Sequence, residues 1–292
     1  MSQRDYSFII PVYNRPQEIK ELLESFILVE FPKSFEIVIV EDGSTETSES
    51  IVKQFSDKLT ISYYFKDNSG PGASRNYGMQ RAKGNYFIIL DSDCLLPPHY
   101  LATVDAFLTN NFFECYGGAD GAHSSFSPLQ KAINYVMTSF FTTGGLRGST
   151  SSINRFEPRS FNMGISKEAF VKTGGFAKIH PGEDPDLSQR ILKAGYETTF
   201  IPNAYVYHKR RISWEKFYTQ VKKFGLVRPI LNSWHPNSAK LTFWFPTFFV
   251  VFVISSLLLA VLVNSICILP LTVYLLLIFV DSSFRNQNIY IG

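Results

Sequence analysis

The run Tyr86–Leu96 reads YFIILDSDCLL, an apolar stretch interrupted by Asp91 and Asp93, one residue apart. Two carboxylates at that spacing have two uses. They can hold a hard divalent ion such as Mg²⁺ or Mn²⁺, which prefers oxygen ligands. They can also cap backbone N–H groups in a turn. The spacing alone leaves both open. Two more acid pairs stand elsewhere, Glu41-Asp42 in EIVIVEDGS and Glu183-Asp184 in HPGEDPDLSQR. Glu183-Asp184 opens a helix-like segment, where capping is the alternative to catalysis. His208 closes the strand-like AYVYH just before three basic residues, and is either a structural imidazole or a metal ligand. Two chemistries are excluded. DSDCLLPPHYLA lacks the Gly and the closing Glu of a calcium loop. GPGASR lacks the third Gly of a dinucleotide fingerprint and does not follow the first strand.

These acids need elements to position them. SFIIPVYN (7–14), EIVIVEDGS (36–44), TISYYF (60–65) and YFIILDSD (86–93) read as strands. EIKELLESFI (18–27) has helical spacing, with Ile19, Leu22, Leu23 and Phe26 on one face. SESIVKQF (48–55) and GASRNYGMQRAK (72–83) have helical character. Apolar strands without alternation are buried on both faces, and strands separated by helices imply a parallel α/β sheet. Ligands in such sheets bind beyond the carboxyl ends of the strands, where Tyr13-Asn14, Glu41-Asp42 and Asp91-Ser92-Asp93 all fall. A looser stretch over 117–160 is rich in Gly, Ser, Thr and Phe. DPDLSQRILKAG then reads as a helix with a Gly stop.

Bulk properties narrow the class. Only 18% of the 292 residues are charged, low enough to point to a membrane-bound part. A net charge of +3 gives no reason to expect nucleic acid as a partner. The three cysteines form no CxxC pair, which argues against a disulfide framework or a zinc site and for a reducing compartment. The N-terminus lacks the apolar core of a signal peptide. Eight Lys/Arg and one acid lie between Lys209 and Lys240, so an otherwise mildly acidic chain carries one basic segment.

LTFWFPTFFVVFVISSLLLAVLV (241–263) is uncharged for 23 residues. At 1.5 Å per residue it reaches roughly 34 Å, enough to span a bilayer. ICILPLTVYLLLIFV (266–280) is shorter, and reads as a second helix of a hairpin or a re-entrant segment. IYIG, at the end, reads as the start of another apolar element, so the natural chain is expected to continue. Just before the span, SWEKFYTQVKKFG sets Trp214, Phe217, Tyr218, Val221 and Phe224 on one helical face. That pattern suits either a helix at a membrane surface or one packed on the body. The positive-inside rule puts the basic segment and the α/β body on the cytoplasmic face.

IIPVYNRP, IVIVEDGSTE, SGPGASRNYGMQRAKGNYFIILDSDC and PGEDPDLSQRILKAG, in this order and spacing, resemble the family-2 inverting glycosyltransferases of the GT-A fold. The resemblance covers about residues 5–230. It implies a Rossmann-like, mostly parallel α/β sheet flanked by helices, with a catalytic domain at 1–230, a linker at 231–240 and a membrane region at 241–292. Pro11, Tyr13 and Asn14 would line a nucleoside pocket, and Asp42, with Glu41 beside it, would bind the base. Glu41 stands where the family usually has Asp. Arg75 would contact the nucleotide. Asp91 would lie nearer the sugar, and Asp93 would bind a Mn²⁺ or Mg²⁺ ion on the diphosphate, with His208 completing the site. Asp184, paired with Glu183, would be the catalytic base, and Asn162 and Gly164 would lie near the donor sugar. The implied activity is transfer from a nucleotide-sugar, a UDP-sugar by preference, to a lipid-linked or glycan acceptor at the membrane. Two alternatives stand beside it. Processive polysaccharide synthases carry Gln-x-x-Arg-Trp after the base, and QVKKF (220–224) lacks the Arg-Trp pair. A catalytically inactive membrane scaffold would not need Asp42, Asp91, Asp93 and Asp184 together.

Overall fold

The computed structural model describes residues 4–121, 127–143, 156–208 and 213–289. In chain order the elements begin β1 (Tyr6–Val12), α1 (Pro16–Ile27), β2 (Glu36–Asp42), α2 (Glu49–Lys53), β3 (Ile61–Lys66), α3 (Pro71–Arg81), β4 (Tyr86–Leu90) and β5 (Cys94–Leu95). They continue with α4 (Tyr100–Asn110), β6 (Cys115–Gly121), α5 (Pro128–Thr138), α6 (Phe140–Thr143), β7 (Asn162–Ser166), α7 (Lys167–Thr173), α8 (Glu183–Lys193) and β8 (Thr198–His208). Three long helices follow: α9 (Trp214–Trp234), α10 (Phe245–Leu262) and α11 (Leu269–Asn286).

The eight strands form one sheet in the order β3-β2-β1-β4-β7-β6-β8-β5. The first four are parallel, as their separation by helices requires. β7 then runs antiparallel to both β4 and β6, and β5 antiparallel to β8, so the sheet is mixed. Parallel alignment brings the ends of β1, β2 and β4 to one edge. β7 begins at that same edge, with Asn162 paired to Leu90.

Adjacent residues of the strands go to opposite faces, and both faces are covered. Phe8, Ile10, Ile37, Ile39, Ile88 and Leu90 pack with α1 and α4. Ile9, Val38, Val40, Phe87, Ile89, Met163 and Ile165 pack with α3, α7 and α8. That is why these strands read as unbroken apolar runs. Two elements differ from the sequence expectation. β4 ends at Leu90, so Asp91-Ser92-Asp93 forms a turn beyond the strand. Gly117 to Gly121, inside the stretch expected to be loose, belong to β6. Gly117 and Gly118 remove the side-chain periodicity that marks a strand.

The chain divides into two compact units. One comprises residues 1–123, 150–210 and 221–235, and the other 124–149, 211–220 and 236–292. The first holds the sheet. In the second, helical segments Leu241–Leu262 and Ser265–Asn286, each 22 residues with mean hydropathy 2.5 and 2.1, are long and apolar enough to cross a membrane. The second segment is longer than its apolar run, because the helix continues through Asp281 to Asn286. Within this unit Asp281 accepts a 2.7 Å hydrogen bond from Tyr135 of α5. Trp214, Tyr218, Val221 and Phe224 of α9 are all exposed.

Candidate active site

Three groups of side chains gather at the carboxyl edge of the parallel strands. The first is built by the turns after β1 and β2. Asn14 follows the exposed Tyr13 with φ 51°, a left-handed conformation that Asn tolerates. Its N–H donates to Ser44 Oγ at 2.7 Å, and its Oδ1 accepts from the N–H groups of Thr45 (2.9 Å) and Glu46 (3.0 Å). The two turns are thus tied together. Asp42 ties in a third loop: its Oδ1 accepts from Lys66 Nζ and from Ser69 N–H (2.9 Å), and its Oδ2 from Gly70 N–H (2.9 Å). Pro11 sits within β1, paired with Val40. Glu41, assigned to the nucleotide by resemblance, points into the support of the turn. It is fully buried and accepts from Ser44 Oγ, Ser48 N–H (2.9 Å), Ser48 Oγ (2.5 Å) and Tyr63 OH (3.1 Å).

The second group is the Asp91–Asp93 turn. The pairing of Cys94 with His208 across β5 and β8 brings the imidazole to the acids. His208 Nε2 lies 3.0 Å from Asp93 Oδ1 and 4.0 Å from Asp91 Oδ2, and its ring stacks on Phe161. Arg15 Nη1 donates to Asp93 Oδ2 at 2.9 Å. Burial alone would raise the Asp93 pKa, but His208 and Arg15 hold it down at about 2. Cys94 lies close enough to join a metal cluster with Asp93 and His208. Its thiol, however, donates to the Phe161 carbonyl at 3.4 Å, and burial followed by the two nearby aspartates pushes its pKa well up. A protonated thiol is a poor partner for a hard cation. The oxygen and imidazole donors of Asp93, His208 and Asp91 fit Mn²⁺ or Mg²⁺.

The third group opens α8. Glu183 and Asp184 occupy its first turn after Gly182, whose φ of 120° favours glycine. A Cβ on Gly182 would come within 2.6 Å of Val227 Cγ1, so α9 packs directly behind the start of α8. Asp184 Oδ2 accepts from Ser160 N–H at 3.1 Å, while Oδ1 is buried without a hydrogen-bond partner. Burial raises the Asp184 pKa despite Arg75, with the Glu183 charge adding to the rise. Glu183 shifts the other way. Burial opposes its ionisation, but the hydrogen bond with His180 Nδ1 (2.9 Å) and the charge of Arg75 lower its pKa.

Arg75 joins the second group to the third. Its side chain is only 4% exposed. It donates to Asp91 Oδ1 at 2.8 Å and reaches Glu183 Oε1 at 3.5 Å. Burial disfavours its charge, but Asp91, Asp184 and Glu183 together raise its pKa. The structure therefore gathers Asp91, Asp93, His208, Arg75, Glu183 and Asp184. It does not bring Asn162 and Gly164 to the same surface. Asn162 is buried and saturated, accepting from Tyr100 OH (2.6 Å) and donating to the carbonyls of Ala204 (2.9 Å) and Ala119 (3.1 Å). Gly164 lies inside β7, where a Cβ would fall 1.9 Å from the Tyr116 ring. Sequence reasoning missed Arg15, His180 and Ser160. Arg15 had a usable signal, a cation directly after Asn14 at a strand end. His180 and Ser160 become visible only through contacts made in the fold.

The sequence model for glycosyl transferase family 2 matches residues 7–170, more than half of the chain. An uncharacterised glycosyltransferase of Rickettsia typhi is 40% identical over 103 residues, covering 34% of this chain and 31% of that protein. The poly(ribitol-phosphate) beta-N-acetylglucosaminyltransferase TarS of Staphylococcus aureus is 36% identical over 106 residues, covering 35% and 18%. The chain thus spans a third or less of the length of these relatives. Two solved structures share the fold. TarS residues 1–349 in complex with UDP gives a TM-score of 0.56 at 21% identity, over 76% of this chain and 64% of that one. The mannosyltransferase PcManGT of Pyrobaculum calidifontis, in complex with GDP-Man and Mn²⁺, gives 0.62 at 17% identity, over 83% and 68%.

Proposed function

Since the chain belongs to glycosyl transferase family 2, we propose that it moves a sugar from a UDP-sugar to a hydroxyl of a lipid-linked or glycan acceptor, with inversion, from a catalytic domain at about 1–230. The observation that carries the reading is a pair of oppositely tuned acids, Asp93 and Asp184, whose neighbours Asp91 and Glu183 are bridged by Arg75. Asp93 is ionised and equipped for a cation, whereas Asp184 has a raised pKa and an unpartnered oxygen. Two carboxylates pushed apart by their surroundings mark different roles. UDP is favoured by the resemblance and by the UDP bound to the TarS structure.

In this reading Tyr13, Asn14 and Asp42 form the nucleoside end, and Asp93, His208 and Asp91 would hold the divalent ion. A bound ion supplies positive charge that stabilises the departing diphosphate. Asp184 Oδ1 accepts the proton of the acceptor hydroxyl as that oxygen attacks the anomeric carbon. The carbon–oxygen bond to the diphosphate breaks in the same displacement, so one base suffices and no second nucleophilic carboxylate is required. Arg75 keeps Asp91 and the α8 acids in register across the cleft. The apolar helices 241–262 and 265–286 anchor the enzyme in a membrane, and the basic segment keeps the catalytic domain on the cytoplasmic face.

The test is a thermal-shift panel on the whole chain in detergent with UDP, GDP, CDP and ADP, each with and without Mn²⁺. A ligand of the native state raises its stability by mass action. UDP with Mn²⁺ is expected to give the largest shift, and Asp93→Ala to abolish it. Asp184→Asn should keep the shift while kcat falls about 10³-fold, within the range of a lost general base. A Mn²⁺-independent shift, or wild-type turnover by Asp184→Asn, would reject the corresponding assignment.

A further inference from the structure

We infer that Arg15 competes with the divalent ion for Asp93 and, when a nucleoside diphosphate arrives, transfers to its phosphates. Metal and diphosphate then bind cooperatively. The inference rests on the donor site proposed above and adds a residue to which the sequence motifs gave no role.

The argument begins with how Asp93 is shared. Its two oxygens face different partners, Oδ1 toward His208 Nε2 at 3.0 Å and Oδ2 toward Arg15 Nη1 at 2.9 Å. A cation bound through Oδ2 would meet the guanidinium of Arg15 at contact distance. Arginine stays charged at every physiological pH and cannot yield by losing a proton. Its side chain has to move, or the cation is repelled.

Arg15 is built to move where its neighbour is not. Its side chain is 44% exposed, against 4% for Arg75. Arg75 is locked among Asp91, Glu183 and Phe176, whereas Arg15 pairs with Asp93 at the edge of the cleft. The backbone of Arg15 is fixed, because it caps the N-terminus of α1 with φ −140° and follows Asn14, which ties together the turns after β1 and β2. Motion is therefore confined to the side chain, within reach of the Asp93 turn. A diphosphate held there offers oxygens that a planar guanidinium binds in bidentate fashion, a better match than one carboxylate oxygen. By linkage, whatever draws Arg15 from Asp93 strengthens metal binding, and bound metal strengthens diphosphate binding by the same factor. When the diphosphate product leaves, Arg15 returns to Oδ2 and helps release the ion.

The experiment is calorimetric titration of the whole chain in detergent with Mn²⁺ alone, UDP alone, and each in the presence of the other. Wild type, Arg15→Ala, Arg15→Lys and Asp93→Ala are compared. In wild type Mn²⁺ is expected to bind at least about tenfold tighter when UDP is saturating, within the usual range of coupling between sites. Arg15→Ala should move the two affinities in opposite directions, binding Mn²⁺ alone several-fold tighter and UDP with Mn²⁺ about tenfold more weakly. Arg15→Lys keeps the charge but not the fork, and should recover the competition with Mn²⁺ more fully than the affinity for UDP. If Mn²⁺ alone binds Arg15→Ala no tighter than wild type, the competition is refuted. If UDP with Mn²⁺ binds equally well, the transfer is refuted. Wild-type Mn²⁺ binding by Asp93→Ala would instead overturn the donor-site reading itself, so the two failures are distinguishable.

Discussion

The proposed donor end and the proposed base end of the cleft use the same chemical group in opposite ways. At the donor end Asp93 is ringed by positive groups, and its pKa falls to about 2 even though burial opposes this. At the base end burial dominates, and the Asp184 pKa rises. The supports differ as well. The donor end is held by its own turns, Asn14 to Thr45 and Glu46, and Asp42 to Ser69 and Gly70. The base end is held from behind by a distant segment, since Gly182 packs on Val227 and Asp186 accepts from His235 beyond the end of α9. A ligand site needs settled charge, which local loops can supply. A base needs a carboxylate short of partners, which only a well-packed scaffold can maintain.

The most damaging way to break this division is to remove the residue that spans it. Arg75→Met leaves Asp91, Glu183 and Asp184 facing one another without the cation that offsets their charges. Breaking a buried ion pair from one side costs about 3–5 kcal/mol. Denaturant melts of the whole chain in detergent are expected to show a loss of that order. Arg75 also lowers the Asp184 pKa, so the acid limb of kcat should move to higher pH in whatever protein remains folded. A melt within about 1 kcal/mol of wild type would show that the two ends are independent.

How legible these ends were in the sequence follows from their supports. β1, β2 and β4 with the polar residues that close them could be read because each is a local pattern, an apolar run ended by polar residues. Asp91, Asp93 and the start of α8 were visible for the same reason, although the sequence pattern extends the strand through the two acids that the structure places in a turn. Long-range substitutes were not. The glutamate at position 41 looks like a member of the nucleotide site, yet Ser44, Ser48 and Tyr63 draw it inward. Asn162 looks polar enough to meet a sugar, yet Tyr100 from α4 and the carbonyls of Ala119 and Ala204 consume its amide. His235 sits beside a basic, membrane-directed segment and could have passed for an acceptor contact. It is instead buried between Asp186 Oδ1 (2.8 Å) and Lys193 Nζ (2.9 Å).

That placement gives a smaller test of the rear support. His235→Leu deprives Asp186 and Lys193 of a shared partner, although Arg190 still donates to Asp186 Oδ2 at 2.6 Å. Leaving buried polar atoms short of a partner costs about 1–3 kcal/mol. The loss should appear in melts, and kcat should fall with UDP affinity unchanged, because the donor end is braced separately. Equal losses in kcat and UDP affinity would mean that α9 supports the whole cleft.

The finest test separates the two acids at the start of α8. Glu183 is ionised and adds to the elevation of the Asp184 pKa. Glu183→Gln removes that charge, so the Asp184 pKa should fall toward the ordinary carboxylate range. As the proposed base, Asp184 would act only when ionised, so activity should be lost as pH drops through its pKa. The acid limb of kcat should therefore move to lower pH, opposite in sign to the shift expected for Arg75→Met. Burial is the larger cause of the elevation and remains in place, so the displacement is the smallest of the three effects. An acid limb that stays fixed in Glu183→Gln and in Arg75→Met would mean that it reports a group other than Asp184.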